Sequence, residues 1–363
     1  MKKSFLSLVL TLCLFAGSAI AQSSMLATLS HEGEITVFYG ADALKEAHTA
    51  AAHGDVITLS SGSFNATDIT KAITLRGAGL EIDSVKNIHP TVILGSFNIS
   101  IGDSISEQLT IEGIYNDYTI TVTAGLNNAT FIKNRFSIFQ FNTNSGNTAQ
   151  YLNNRFIHCK IASRFFAAIF ASKKSLSFMN CYINSIFNNS NSSIFTNCII
   201  HNAYGSTTIN NIKYYSGLSY LSYCTLYNCI LVGQINQGPE YNPLPSTATA
   251  YNCIATNVYH TYNANGQSYY IFKNIPNSTN RVITSIGGVF KSYTSYYDFE
   301  TFEILDALKT DFLGTDGTQV GIHGGSLPYS PATTNPQITK CNVAPRSTAD
   351  GKLSIDIEVK TGE

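Results

Sequence analysis

Short segments in which apolar and polar residues alternate make up most of this chain. Examples are Gly54–Leu59, early in the sequence, and Leu353–Val359, close to its end. A period of two is typical of β-strands that bury one face. Aromatic and β-branched residues are abundant, and both types favour strands. The pattern therefore predicts a protein built from many short strands.

One segment, Asp42 to His53, has helical spacing instead. Leu44, Ala47 and Ala51 recur on one side, and we expect them to form its buried face. Gly54 follows directly and is expected to end the helix in the left-handed conformation. The sequence thus predicts one helix ahead of the strands.

A short phrase recurs through the middle of the chain: an asparagine, an arginine or cysteine, and then apolar residues. It begins at Asn134, Asn154, Asn180, Asn197, Asn228 and Asn252. The successive gaps are 20, 26, 17, 31 and 24 residues, and an irregular period of this size indicates a coiled solenoid. Asparagine tolerates positive φ, so we interpret these six residues as turn positions whose amides stack from coil to coil.

Arginine in this phrase has to face solvent, which places Phe136 and Phe156 inside the coil. In later repeats cysteine occupies the same position. Either the cysteines also face outward, or the register has shifted by one residue. The sequence leaves this choice open.

Two stretches resemble a known family. ALKEAHTAAAHGDVITLSSGSF, followed by ITKAITLRGAGLE, is similar to the entry of right-handed parallel β-helix proteins of the pectin-lyase-like fold. In that fold an amphipathic helix plugs the first coil. Residues 311–325 resemble the "DGT-x-x-G-x-x-GG" phrase that closes the coil in many secreted bacterial β-helix domains, and the tail also looks like theirs.

We therefore expect an all-β protein: a single-stranded right-handed parallel β-helix of about ten coils. An N-terminal helical cap and a C-terminal β extension complete the expected fold. Residues 1–21 read as a signal peptide, 22–325 as the β-helix with its capping helix, and 326–363 as a linker and a β-hairpin.

The signal peptide predicts an exported protein that is secreted, periplasmic or displayed at the cell surface. Lys2 and Lys3 precede an apolar run, and Ala19-Ile20-Ala21 is a small-x-small cleavage site. No later apolar run is long enough for a membrane span. Seven cysteines remain after cleavage, an odd number, and we expect stacked free thiols rather than a disulfide framework or a metal cluster.

Charge is strongly segregated along the chain. Between Tyr118 and Tyr297 there are seven Lys and four Arg, but no Asp and one carboxylate, Glu240. Glycoside hydrolysis needs two carboxylates, and calcium-dependent lyases need several acidic ligands. The middle coils lack the residues for both reactions. No cofactor motif and no nucleic-acid motif is present.

A metal-free polysaccharide lyase needs only a cation and a base beside a uronate. Lys160, Arg164, Lys173 and Lys174 are candidates for such a catalytic patch, although Lys173-Lys174 also fits a plain turn. Whether these four side chains converge on one groove would distinguish the two readings.

Tyrosines provide a candidate binding surface, since aromatic faces stack on sugar rings. The residues concerned are Tyr214, Tyr215, Tyr220, Tyr259 and Tyr262. Our leading expectation is a non-catalytic exported protein that binds a polysaccharide or cell-surface glycan through one long face. The alternatives are the metal-free lyase and a structural or assembly protein. The sequence does not indicate an oligomeric state.

Overall fold

The chain forms a parallel β-helix built on two long sheets. The computed structural model describes residues 25–80, 89–141, 149–166, 173–187, 192–202, 205–209, 212–216, 218, 221–233, 244–257, 272, 275, 279–283, 290–291, 303–330, 337–343, 346 and 350–360. The predicted signal peptide lies outside these residues. The all-β class expected from the sequence is confirmed.

Sheet 1 contains eleven strands, numbered along the chain. They are β1 (Leu26–His31), β2 (Glu34–Tyr39), β3 (Val56–Leu59), β5 (Thr74–Arg76), β8 (Thr110–Glu112), β10 (Thr130–Ile132), β12 (Gln150–Ile157), β14 (Lys173–Met179), β17 (Ser193–Thr196), β21 (Thr225–Tyr227) and β23 (Thr249–Tyr251). The order in the sheet is β2-β1-β3-β5-β8-β10-β12-β14-β17-β21-β23. From β3 onward all described pairs in it are parallel.

Sheet 2 supplies the second wall of each coil. Its strands are β4 (Gly62–Asn65), β6 (Thr91–Leu94), β7 (Phe97–Ile99), β9 (Ile114–Val122), β11 (Arg135–Phe141), β13 (Lys160–Phe166), β15 (Tyr182–Ile183), β16 (Ile186–Phe187), β18 (Ile199–Asn202), β19 (Gly205–Ile209), β20 (Ile212–Ser216), β22 (Ile230–Gly233), β24 (Ile254–Asn257) and β25 (Arg281–Ile283). Its main path runs β25-β24-β22-β18-β15-β13-β11-β9-β6-β4.

Aromatic rings stack along the inside of sheet 1. Phe131, Phe156, Phe178 and Phe195 occupy one position in four successive coils, with neighbouring ring centroids 4.7, 4.9 and 4.8 Å apart. Phe136 and Phe156 are fully buried, as the sequence predicts. Each coil is thus held to the next by backbone hydrogen bonds and by stacked apolar side chains.

Coil length varies because the connections between strands vary. The sheet 2 residues that pair from coil to coil are Arg135, Lys160, Tyr182, Ile199, Ile230, Ile254 and Arg281. The corresponding steps are 25, 22, 17, 31, 24 and 27 residues. The irregular period seen in the sequence is therefore genuine, although the first two steps differ from the 20 and 26 residues read from the asparagines.

Helix α1 (Ala43–Ala50) covers the N-terminal end of the core together with the antiparallel hairpin β1–β2. Leu44, Ala47 and Ala51 are buried, as expected. The ammonium group of Lys71 donates hydrogen bonds to the carbonyls of His48, Thr49 and Ala51 at 2.8, 2.9 and 2.5 Å. A cation at these carbonyls stabilises the C-terminal end of the helix.

The predicted end of this helix was wrong. Gly54 has a left-handed φ of 88°, but the helix ends at Ala50, and Ala51 is already extended with ψ 158°. Lys71 supplies the capping contacts that a glycine would otherwise provide. Gly54 instead turns the chain into β3.

The C-terminal extension is the predicted hairpin. Strands β26 (Gln337–Val343) and β27 (Ile355–Lys360) pair antiparallel as a separate two-stranded sheet. A short helix, α2 (Asp306–Lys309), precedes the segment that the sequence suggested would close the coil.

Candidate functional site

Four of the six asparagines form the expected turn column. Asn180, Asn197, Asn228 and Asn252 have φ between 49° and 54° and precede β15, β18, β22 and β24. Asparagine adopts this conformation at lower cost than most residues. Amide stacking is seen where Asn228 Nδ2 lies 3.4 Å from Asn197 Oδ1.

Asn134 and Asn154 do not belong to that column. In the earlier coils Lys133 and His158 hold the turn position ahead of β11 and β13, both with positive φ. Asn153, one position before Asn154, has positive φ within β12 instead. Asn134 and Asn154 point inward and are fully buried, where they bond to backbone groups of neighbouring coils. The repeated phrase therefore combines different positions of the coil.

The structure shows which way the repeat cysteines face: they form a column inside the coil, so the register of the repeated phrase has shifted by one residue. Asn134 occupies the position taken by cysteine in later coils, and these thiols face inward. Each Sγ donates to backbone carbonyls at 3.2–3.7 Å, in Cys159, Cys181, Cys198, Cys229 and Cys253. These five thiols are buried and form no disulfide, which confirms the predicted stack of thiols.

A segment that we call the strap, residues 311–329, runs along the outside of the coils. It crosses the asparagine column in reverse chain order. Asn252 Nδ2 donates to Leu313 O (3.1 Å), Asn228 Oδ1 accepts from Thr315 N (2.8 Å), and Asn180 Nδ2 donates to Gly324 O (2.7 Å). The asparagine amides therefore bind the strap. The expected coil closure at 311–325 was wrong, because these residues lie across several coils.

Glycines in the strap permit this close approach. A Cβ at Gly314 would lie 2.6 Å from the Asn228 amide carbon. A Cβ at Gly324 would lie 1.6 Å from Gln319 O and 2.6 Å from Asn197 Nδ2. The glycine-rich phrase thus serves contact with the asparagine column.

The strap covers an apolar column on the outer face of sheet 2. Ile199, Ile230 and Ile254 face away from the main core, yet each is almost fully buried. They pack against Val320 and Ile322 of the strap, among other residues. This second core ends at Tyr182, and Tyr329 is among the partly buried residues that pack against it. The His158 Nε2–H donates to Leu327 O at 2.8 Å near the same end.

Beyond the strap the same outer column changes chemistry. Following the strand pairing back from Tyr182, the column continues through Lys160 and Arg135 to Tyr115. The Arg135 guanidinium lies 4.8 Å from the centre of the Tyr115 ring, and the Lys160 ammonium lies 5.9 Å from that of Tyr182. We call Tyr115, Asp117, Arg135, Lys160 and Arg164 the open face.

Arg135 is the central side chain of the open face. Its Nη2 lies 3.7 Å from Asp117 Oδ1, while its buried Nε–H has no hydrogen-bond partner among the described residues. The Tyr115 hydroxyl donates to Asp117 Oδ2 at 2.5 Å. Burial and that carboxylate raise the pKa of Tyr115. Three cations with one carboxylate leave this surface positive, suited to an anionic ligand.

The four predicted catalytic residues do not converge. Lys160 and Arg164 both lie on the outer face of β13. Lys174 lies on β14 in sheet 1, pairs with the buried Tyr151 and is itself only 6% exposed. Burial lowers the pKa of Lys174 to about 8. Lys173 is on the same strand, but its side chain lies outside the described residues.

The side chains of the five predicted tyrosines lie outside the described residues, so their role stays a prediction. Tyr214 and Tyr215 lie on β20, in a hairpin attached to sheet 2 through β16, and their side chains are not among those described. Tyr220, Tyr259 and Tyr262 lie outside the described residues. Tyr115 and Arg135 were missed, because only the coil-to-coil pairing shows that they adjoin Lys160.

A depression of about 380 Å³ lies at the other end of the strap, bounded by Asn252, Arg281, Asp311 and Phe312. The Arg281 guanidinium lies 5.0 Å from the centre of the Phe312 ring, so an intramolecular contact already engages it. The open face is the stronger candidate because Arg135 has an unsatisfied donor.

Within the described parts of the chain, no group of three or more His, Cys, Asp or Glu side chains is arranged to hold a metal ion. The described helices include none that is long and apolar enough to cross a membrane. The fold class is a parallel β-helix that carries a positive outer face. No family model, curated protein or solved structure matches this sequence.

Proposed function

We propose that this is an exported, non-catalytic β-helix protein, similar to the pectin-lyase-like type, whose open face binds an anionic glycan. The observation that carries the proposal is the partly exposed guanidinium of Arg135, placed between Lys160 and the ring of Tyr115 and 3.7 Å from the Asp117 carboxylate. A carboxylate or sulfate on a sugar would bind the accessible N–H groups of this guanidinium. Arginine binds such groups through two parallel N–H bonds.

The direction of the face favours an extended ligand. Lys160 and Arg135 lie in adjacent coils, about 4.8 Å apart along the solenoid axis, and Arg164 is exposed further along β13. A polymer with repeated acidic groups would contact several of these cations at once. A small anion would contact one or two.

The distribution of catalytic groups favours binding over turnover. Lys174, the candidate base with a lowered pKa, lies inside the coil and in the other sheet. Asp117, the carboxylate of the open face, accepts a hydrogen bond from Tyr115 and is paired with Arg135. Tyr115, the other possible base beside these cations, has a raised pKa and already donates its proton to Asp117. The groups of this face therefore favour binding over the lyase alternative.

Isothermal titration calorimetry at low salt, with sulfated, uronate-containing and neutral polysaccharides, tests the proposal. We expect the acidic polymers to bind and the neutral one not to bind. Arg135→Gln and Lys160→Gln should each weaken binding roughly tenfold. Arg155→Gln is the matched control, since this exposed arginine lies on sheet 1. Absence of binding to every acidic polymer, or an equal loss in the Arg155 variant, would overturn the proposal.

Two further measurements test the lyase alternative and the predicted export. Appearance of unsaturated-sugar absorbance with any uronate polymer would favour the lyase. Sequencing the N-terminus of the protein after export tests the predicted leader, which should be removed so that the chain begins at Gln22.

A further inference from the structure

Among the described residues, β2 forms one edge of sheet 1. β2 pairs with β1 on one side, and the sheet order ends there. Its alternate residues Ile35, Val37 and Tyr39 are 69%, 40% and 66% exposed. Such an edge carries unpaired backbone donors and acceptors beside an apolar row, and it readily accepts another strand.

The C-terminal hairpin has a matching feature. Ile355, Ile357 and Val359 of β27 alternate on one face and are 54%, 52% and 54% exposed. In the described structure the hairpin forms a sheet of only two strands. A sheet of this size is marginally stable in water without further packing.

We propose that β27 of one copy pairs antiparallel with β2 of a second copy of this chain. Both strands have six residues and the same apolar period. The antiparallel register places Ile35 opposite Val359, Val37 opposite Ile357 and Tyr39 opposite Ile355. The same register brings an acidic and a basic residue, Glu34 and Lys360, opposite each other. Apolar and oppositely charged cross-strand pairs both stabilise a sheet.

The chain that connects the strap to the hairpin is too short for β27 to pair with β2 of the same copy, so the pairing has to join two copies. Tyr329 is fixed to the strap by its backbone N–H, which donates to Ile322 O at 2.7 Å, and its ring packs beside His158, which follows β12. Six strand spacings separate β12 from β2, or about 29 Å. If β27 paired with β2 of the same copy, β26 would lie two strand spacings further out, about 38 Å from β12. The eight Cα–Cα steps from Tyr329 to Gln337, where β26 begins, span at most about 29 Å when fully extended. The hairpin therefore falls short of its own β2.

This contact joins different surfaces of the two copies. A heterologous contact leaves one β2 and one hairpin free at the ends, so association continues unless a ring closes. We expect assemblies that grow in length with protein concentration.

Sedimentation velocity of the purified full chain over a range of concentrations tests this inference. We expect concentration-dependent association, weakened at least tenfold by Val37→Lys and by Ile357→Lys. Ile194→Lys is the control, since Ile194 is similarly exposed but lies on β17, a strand with a partner on each side in sheet 1. It should associate like the unaltered protein.

An equimolar mixture of the Val37→Lys and Ile357→Lys variants gives the decisive result. The first retains an intact hairpin and the second an intact edge, so together they should form dimers and nothing larger. Dimer formation also shows that both variants are folded. A monomeric unaltered protein, unchanged association of either variant, or a mixture that stays monomeric would overturn the proposal.

Discussion

One column of residues on the outside of sheet 2 divides into two parts. Around Ile199, Ile230 and Ile254 it is apolar and covered by the strap, whereas around Arg135 and Lys160 it is charged and open. The backbone pairing is the same in both parts. The two parts differ in whether the strap covers them. The covered part has apolar side chains and forms a second core, whereas the uncovered part has charged side chains and is accessible to a ligand.

The largest expected effect comes from removing the cover. Gly324→Ala would place a methyl group 1.6 Å from Gln319 O, so the strap has to leave its position. We expect a loss of about 3–5 kcal/mol in the free energy of unfolding, together with rapid proteolysis within residues 311–329. Gly317→Ala is the control: it also lies in the strap but has open space around it, and its φ of 76° should cost only about 1–2 kcal/mol. Equal effects of the two variants would show that the strap contact contributes little.

The second test concerns the apolar column itself. Ile230→Ala removes buried methyl groups beneath the strap, and we expect a loss of about 3–4 kcal/mol in urea denaturation. Ile194→Ala, at a position 47% exposed, should cost less than about 1 kcal/mol. A small effect at Ile230 would mean that the covered half is no core.

His201 lies on β18 next to the covered column, and acid should weaken its surroundings. Burial lowers the pKa of His201 to about 4, and its Nδ1–H donates to Asn184 Oδ1 at 2.9 Å. Between pH 6.5 and 4 the unfolded chain binds a proton here that the folded protein does not, so stability falls as the pH falls. At pH 4 the loss amounts to about 3 kcal/mol.

Urea denaturation at pH 7 and pH 4 checks this expectation. The His201→Gln variant should lose less stability than the unaltered protein on acidification, while His89→Gln, at an exposed position, should change nothing. An identical acid response in the His201 variant would contradict the assignment.

The smallest expected effects come from two substitutions of Asn228, which distinguish its left-handed turn conformation from its hydrogen bond to the strap. Asn228→Gly keeps the left-handed backbone of φ 54° but removes the amide that accepts from Thr315 N. We expect it to cost about 1 kcal/mol. Asn228→Ala should cost about 1 kcal/mol more, because alanine is also strained at that φ. If the two variants are equally stable by thermal denaturation, the turn conformation contributes nothing at this position.

Much of the architecture could be predicted because it depends on local patterns. Alternation predicted the strands and the final hairpin, helical spacing predicted α1, and the outward arginines correctly placed Phe136 and Phe156 inside. The thiol stack followed from cysteines that recur in the same place. These features need only the periods of strand and helix.

The direction of the later repeats could not be predicted from their residues. In Asn197-Cys198-Ile199-Ile200, Ile199 faces the strap and Ile200 faces the main core, so both are buried. An apolar pair carries no information about direction when both faces are covered. The strap contacts join residues 61 to 169 positions apart, a distance over which no local pattern operates.

The open face was only half predicted for a related reason. Lys160 and Arg164 were identified, but their neighbours Arg135 and Tyr115 lie on other coils of unequal length. Aligning them requires the strand register, which the irregular steps of 25, 22 and 17 residues conceal.

The strap also sets the number of coils that it crosses. Its residues from Leu313 to Leu327 contact the turn positions from Asn252 back to His158 in strict order, so its length fixes how many coils lie between those two residues. Inserting or deleting a coil in this interval would put the glycines out of step with the asparagines. Coils that the strap does not cross are free of this constraint, and the solenoid can lengthen or shorten there.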